Sequence, residues 1–166
     1  MPAVTARQAA VSALVKVNTQ GAYSNLVLNE TLKKSGLSPA DSSFASRLFY
    51  GTLERRLTLD HVINNYSKKP VSKLTPAVAE ILRTAVYQLL YLDSVPDSAA
   101  VNEAVGLTKK MKAASASGFV NAVLRNFLRD EKKIPQIKGN RLKKLEVRYS
   151  CPQWLIKTLL EQYDEP

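Results

Sequence analysis

The sequence predicts an all-α fold. Nearly every segment carries apolar residues at i, i+3, i+4 and i+7, and no stretch shows the strict alternation of a half-buried strand. Helix-stop and helix-start signals follow each other between segments, as in Ser35-Gly36 and Ser38-Pro39. With 166 residues, 45% of them hydrophobic, the chain is long enough to bury the core of one domain.

Four helices are predicted in the first half. The first is rich in small residues that allow close packing, and it ends at Gly21. The second begins with Ser24 as N-cap and ends at Gly36 as the left-handed residue. The third opens with Ser38 as N-cap, and Thr58 is expected to cap a short fourth helix. These helices form the first of two helical groups.

The segment SKKPVSKL (67–74) is predicted to be a loop that separates the two groups. Thr75-Pro76 then starts the most apolar helix, which we expect at the centre of the fold. A further helix from about Val101 to Thr108 runs into a lysine-rich end. Its Lys109, Lys110 and Lys112 are expected to attract RNA.

Two charged residues lie on strongly apolar segments in this second half. Arg83 belongs to the most apolar helix, and Glu103 to the next. Because buried charges require partners, we expect Arg83 and Glu103 to form a structural polar pair that holds the two helical groups together. A ligand-binding role for these two residues is the alternative.

The segment SASGFVNAVLRNFLRD (115–130) has two contrasting faces. Its apolar residues form one stripe, whereas Asn121, Arg125 and Arg129 form a polar line along the edge of that stripe. Ser117 or the serine two positions earlier is a candidate N-cap, and Gly118 would allow a phosphate to approach the free N–H groups of the helix start. The line is a candidate RNA-binding edge, with a merely solvated face as the alternative.

The character of the chain changes after Arg129. Residues 131–150 are basic and contain a proline and a glycine, which predicts an exposed connector. Ser150 is expected to cap a final helix in CPQWLIKTLLEQYDEP. We therefore predict a first domain over 1–130, and a basic linker with one helix, over 131–166, that leads to a further domain.

Charge and composition narrow the functional classes. The net charge is +10, and the stretch from Val105 to Arg148 holds twelve basic residues but only three acidic ones, which favours a polyanionic partner such as nucleic acid. No apolar run is long enough to span a bilayer, and no signal peptide is recognisable. These features predict a cytoplasmic protein with no membrane partner.

Catalytic and metal-binding groups are not expected in this chain. A single cysteine, Cys151, and a single histidine, His61, exclude an internal disulfide and a cluster of Cys and His metal ligands. No phosphate-binding glycine loop is present, and neither residue is paired with an activating group in any recognisable motif. We expect no enzymatic activity from these residues alone.

Three motifs together resemble the NusB-like domain that opens the RsmB (Sun/Fmu) family of bacterial 16S rRNA cytosine-5 methyltransferases. They are DSSFASRLFYGTLERRLTLD, ILRTAVYQLLYLDSVPDSAAVNEAV and GFVNAVLR, and the resemblance covers about Val4 to Arg129. It implies a helical bundle of two small subdomains with an RNA-binding role. The tail YSCPQWLIKTLLEQY is similar to the segment that joins this domain to the catalytic part.

The resemblance also implies functional residues and partners. RNA, with 16S rRNA expected, would be bound by the start of the first helix and by the FVN helix, that is, by Arg7, Gln8, Ser117, Gly118, Phe119, Asn121 and Arg125. A separate methyltransferase domain of the same protein would bind S-adenosylmethionine and carry the catalytic cysteines, so this part needs no cofactor. A stand-alone NusB-type antitermination factor and a helical adaptor that binds only protein are the alternatives.

Overall fold

The structure is a computed structural model that describes residues 4–21 and 23–163. Within these residues it contains α-helices, two short 3₁₀ helices and no β-strand, which confirms the predicted all-α class. The α-helices in chain order are α1 (Ala6–Gln20), α2 (Ser24–Ser35), α3 (Pro39–Glu54), α4 (Arg56–Tyr66), α5 (Pro76–Tyr91), α6 (Asp97–Lys110), α7 (Ser117–Arg129), α8 (Arg141–Tyr149) and α9 (Gln153–Gln162). None of the described helices is long and apolar enough to cross a membrane.

Several of the predicted helix ends are confirmed. The hydroxyl of Ser38 accepts a hydrogen bond from the backbone N–H of Asp41, at 3.2 Å, and Pro39 occupies the first turn of α3. Gly21 and Gly36 both have φ of 63° and end α1 and α2 in the left-handed conformation that glycine adopts without penalty.

The predicted N-caps of α2, α4 and α9 are wrong. Ser24 is the first helical residue of α2 rather than its N-cap, and Tyr23 at the cap position makes no side-chain capping hydrogen bond. Helix α4 begins at Arg56, before Thr58, whose fully buried hydroxyl donates to the carbonyl of Val147 at 2.5 Å. Ser150 is the left-handed residue that ends α8 (φ 51°), rather than the start of α9. Sequence spacing revealed the capping residue types but not their tertiary partners.

Helix α5 lies at the centre, as predicted. It packs against α1, α3, α4, α6 and α7, and nearly its whole circumference is buried from Val78 to Leu89. One hydrophobic cluster runs from α1 through α5 to α7, so both helical groups share a single core. Burial of apolar surface stabilises a fold by roughly 25 cal/mol per Å² removed from water. The shared core is therefore the main source of stability.

The expected pairing of Arg83 with Glu103 is wrong. Arg83 is 6% exposed and directs its guanidinium toward Asp60 on α4 and toward Glu80, one turn earlier on α5. Glu103 lies on an exposed part of α6, where its charge acts on Arg7 instead. An apolar helix context therefore did not imply burial for Glu103, which occupies the solvent side of its helix.

Part of the expected connector is a helix docked on the domain. Residues 141–149 form α8, which packs against α4 through buried Val147 and then against α9. The basic residues of this stretch occupy the outward faces of an amphipathic helix, and this hid the helical pattern in an otherwise polar sequence. Helix α9 and the residue after it leave three large apolar side chains exposed: Trp154, Leu159 and Tyr163.

Candidate nucleic-acid interface

Helix α7 separates a buried face from a basic one. Val120, Val123, Leu124 and Phe127 are buried in the shared core. On the outer side, Asn121 is half-buried, and Arg125 and Arg129 are exposed. The Arg125 Nε donates to the Asn121 Oδ1 at 3.3 Å, a contact at the long end of the hydrogen-bond range that leaves the guanidinium largely in solvent. The predicted line of polar side chains is present.

At the start of α7 the backbone of Gly118 is accessible, whereas the side chain of Ser117 is engaged within the protein. The hydroxyls of Ser117 and Thr108 are 2.6 Å apart, which ties α7 to α6 and does not cap the helix. Gly118 is exposed, and a Cβ added there would meet no atom within 4 Å. The backbone at Gly118 is therefore accessible to a phosphate, whereas the hydroxyl of Ser117 is already engaged.

Lysines from the end of α6 precede this opening along the chain. Lys109 and Lys110 are exposed in the last turn of α6, where cations are favoured by the helix dipole. Lys112 follows in the left-handed conformation, with φ of 59°, and is also exposed. A 3₁₀ turn over Ala114–Ala116 then connects directly to α7, so all three lysines come just before the helix start.

Sequence reasoning missed a second group of lysines. A groove of about 460 Å³ lies between the 67–75 loop and the start of α7, lined by Lys68, Lys69, Lys73, Leu74, Thr75, Val78, Ser115, Ala116 and Phe119. The three lysines are exposed and form no ion pair with another described residue. The run SKKPVSKL was a visible signal, but its position opposite Phe119 depends on the tertiary fold.

Arg7 is partly engaged within the protein. Its Nε donates to the Gln88 Oε1 at 2.8 Å, and its guanidinium lies 5.1 Å from the centre of the Phe44 ring. Burial lowers the pKa of Arg7, and the nearby charge of Glu103 partly opposes this shift. Gln8 is half-buried in the first turn of α1, where its backbone N–H donates to Thr5. These contacts direct Arg7 toward α3 and α5.

The described histidine, cysteine and acidic side chains are dispersed rather than clustered. Within 4–21 and 23–163, no group of three or more His, Cys, Asp or Glu side chains is arranged to hold a metal ion. His61 contacts the carbonyl of Pro135 through its Nε2 at 2.8 Å, and Cys151 is a half-buried free thiol.

The structure defines an all-α domain with one basic helix edge, and sequence comparison specifies the family. The NusB family model matches residues 4–129, and the chain belongs to the NusB family. The matched region begins before α1 and ends with the last residue of α7.

Two relatives extend the similarity beyond α7. The chain is 34% identical over 165 residues to a probable ribosomal RNA small subunit methyltransferase B of Bacillus subtilis, covering 98% of this chain. It is 37% identical over 159 residues to the protein of the same name from Synechocystis, covering 96% of this chain. The chain spans 36% and 35% of the length of these two relatives.

A solved structure shares the fold. The antitermination factors NusB and NusE in complex with double-stranded RNA include a chain that superposes with a TM-score of 0.69 at 21% identity. The superposition covers 75% of this chain and 94% of that chain. At this level of identity the likeness supports the helical fold.

Proposed function

We propose that this chain is the RNA-recognition module of an S-adenosylmethionine-dependent 16S rRNA cytosine-5 methyltransferase. The observation that carries the proposal is the basic surface around α7: a line of Asn121, Arg125 and Arg129 on one side and a lysine groove at its start on the other. Phosphate oxygens are the natural ligands of such a surface. Its role would be to position rRNA for chemistry performed elsewhere in the protein.

The expected division of labour fits the residues of this chain. The described residues contain no β-strand, and hence no strand–glycine loop–helix unit to hold the cofactor. In the proposed protein, S-adenosylmethionine would be held by a separate domain and would there donate the methyl group. The residues of this chain would bind the RNA backbone and restrict its position, which raises the effective concentration of the target base.

RNA binding can be tested with a paired charge reversal. Lys68→Glu/Lys69→Glu should weaken binding of a labelled helix-and-loop fragment of 16S rRNA, measured by fluorescence anisotropy. Lys33→Glu/Lys157→Glu changes the net charge equally at exposed sites on α2 and α9, and serves as the control. Equal affinities for the two variants would contradict an RNA site at α7.

The methyltransferase assignment has its own test in the longer protein. Arg125→Glu should raise the KM for rRNA while leaving the affinity for S-adenosylmethionine unchanged, because the two ligands are held by different domains. A lowered cofactor affinity with unchanged KM for rRNA would contradict the proposed division.

A NusB-type antitermination factor is the second candidate, favoured by the superposition on the NusB chain of the NusB–NusE–RNA structure. Against it stands the docked pair α8 and α9, which lies outside the family match and inside the similarity to the two methyltransferases. A protein-only adaptor would bind acidic protein partners and would show no RNA affinity in the same titrations.

A further inference from the structure

A second groove lies beyond the family match. It has a volume of about 800 Å³ and runs between the extended segment 133–137 and helix α8, lined by Lys133, Ile134, Pro135, Gln136, Ile137, Arg141, Lys144, Leu145 and Arg148. Its lining combines isoleucine, proline and leucine side chains with lysines and arginines. The groove thus offers an apolar floor bordered by cations.

The α8 side of this groove carries only basic charge. Residues 141, 144, 145 and 148 follow the i, i+3, i+4, i+7 spacing and therefore share one helix face. Lys144 and Arg148 are exposed, and their side chains form no hydrogen bond or ion pair with another described residue. The acid of this helix, Glu146, accepts from Gln153 at 3.0 Å and lies 3.3 Å from the Lys143 Nζ.

The groove is connected to the basic edge of α7. A smaller groove of about 470 Å³ is lined by Arg129 together with Lys133 and Pro135, and the last two also line the larger groove. Its two acids are occupied: Asp130 accepts from the Tyr66 hydroxyl at 2.6 Å, and Glu131 lies 3.4 Å from the Lys133 Nζ. The two grooves are therefore continuous through Lys133 and Pro135, and the connecting groove itself holds as many acidic as basic residues.

We propose that the groove between segment 133–137 and α8 binds a single-stranded segment of RNA that continues from the α7 edge. Phosphates would contact Lys144 and Arg148, and bases would cover the apolar floor at Ile134 and Ile137. Single-stranded RNA presents regularly spaced negative charges and exposed base faces together, which matches both parts of the groove. The inference rests on the proposed RNA-binding function and extends it to a region outside the family match.

The test uses a labelled oligouridine of about 12 nucleotides and the 166-residue chain. Lys144→Glu/Arg148→Glu should lower its affinity roughly tenfold and flatten the log–log salt slope by about 1.4, that is, by two phosphate contacts of about 0.7 each. Lys144→Gln/Arg148→Gln, which only removes the charges, should give a smaller loss. Circular dichroism should show unchanged helicity, because both side chains are exposed and unbonded.

Comparison with other variants and ligands separates the possible failures. If Arg125→Glu weakens binding but the Lys144 and Arg148 variants equal the Lys33→Glu/Lys157→Glu control, the groove proposal is overturned and the α7 site stands. If all variants equal the control, both fail. An abasic oligomer of the same length should bind more weakly than oligouridine. Equally tight binding of polyglutamate of the same charge would instead assign the groove to an acidic peptide and overturn the RNA assignment.

Discussion

Arg83 and Asp60 form a bidentate ion pair that joins α5 to α4. The Arg83 Nε lies 2.6 Å from the Asp60 Oδ1, and its Nη2 lies 3.1 Å from the Oδ2. The Arg83 Nη1 also donates to the buried Glu80 Oε1, at 2.5 Å, which accepts from Asn18 on α1 as well. Burial lowers the pKa of Arg83, but the bonds and charges of Asp60 and Glu80 outweigh it and raise the pKa overall. One network thus joins α1, α4 and α5.

Removing Arg83 should therefore destabilise the fold without acting on RNA directly. Arg83→Ala leaves Glu80 buried without its cation, and breaking such a pair typically costs about 3–5 kcal/mol of unfolding free energy. The Arg56 Nε lies 4.0 Å from the Asp60 Oδ2 in a partly exposed ion pair. Arg56→Ala should therefore lower the free energy of unfolding by less than about 1 kcal/mol. Urea denaturation measures both. An unchanged free energy of unfolding together with lost RNA binding in Arg83→Ala would show that Arg83 serves the ligand instead.

Substitution by valine should affect protein stability differently at two buried threonines. The Thr58 hydroxyl donates to Val147 on α8, so Thr58→Val should cost about 1–2 kcal/mol and increase amide hydrogen exchange in α8. The Thr52 hydroxyl is buried with no hydrogen-bond partner among the described residues, so Thr52→Val should be neutral or stabilising. Equal exchange of α8 amides in both variants would contradict the docking role of Thr58.

Tyr66 should make stability depend on pH in the alkaline range. Burial, followed by the hydrogen bond and charge of Asp130, raises the pKa of Tyr66 from 10.0 to about 12. The folded state therefore holds this proton more tightly, so the contribution to stability is complete below pH 10 and is lost as pH rises toward 12. The wild type should lose more unfolding free energy over this range than Tyr66→Phe does, measured by denaturation at several pH values. Parallel curves for the two proteins would contradict the shift.

Gly118 should be dispensable for the fold and required for the ligand. Since a Cβ there meets no atom within 4 Å, Gly118→Ala should stabilise α7 by up to about 1 kcal/mol. Gly106→Ala, equally unobstructed within α6, is the matched control. Only Gly118→Ala should weaken RNA binding, because its methyl group occupies the approach to the helix start. Identical affinities of the two variants would exclude a phosphate contact at Gly118.

The features predicted correctly from the sequence are those determined by residue type and by the spacing of apolar residues within one helix. The Ser38 cap, the left-handed Gly36 and the central position of α5 follow from residue type and apolar periodicity. Arg83 was recognised as a buried charge, but its partner Asp60 was not, because nothing in the spacing brings α4 against α5. Helix α8 was overlooked because its buried contribution is essentially Val147 alone.

Residues of the candidate site likewise fall into those recognisable from the sequence and those that only the fold brings together. The α7 line was visible because Asn121, Arg125 and Arg129 repeat every four residues on one helix. Lys68, Lys69 and Lys73 come from a loop that only the fold brings opposite Phe119. Arg7, assigned to RNA by resemblance, is half-buried against Gln88 and Phe44, and its role in binding stays a prediction.

The salt dependence of RNA binding by Arg125→Glu tests the central claim most directly. Titrations of the wild type, Arg125→Glu and Lys33→Glu with a helix-and-loop rRNA fragment at three salt concentrations give a log–log slope for each protein. We predict that Arg125→Glu binds more weakly and has a slope flatter by about 0.7, the value of one phosphate contact to a single strand. Lys33→Glu should retain the wild-type slope. Equal affinity and equal slope for all three proteins would show that the basic edge of α7 is only a solvated helix face.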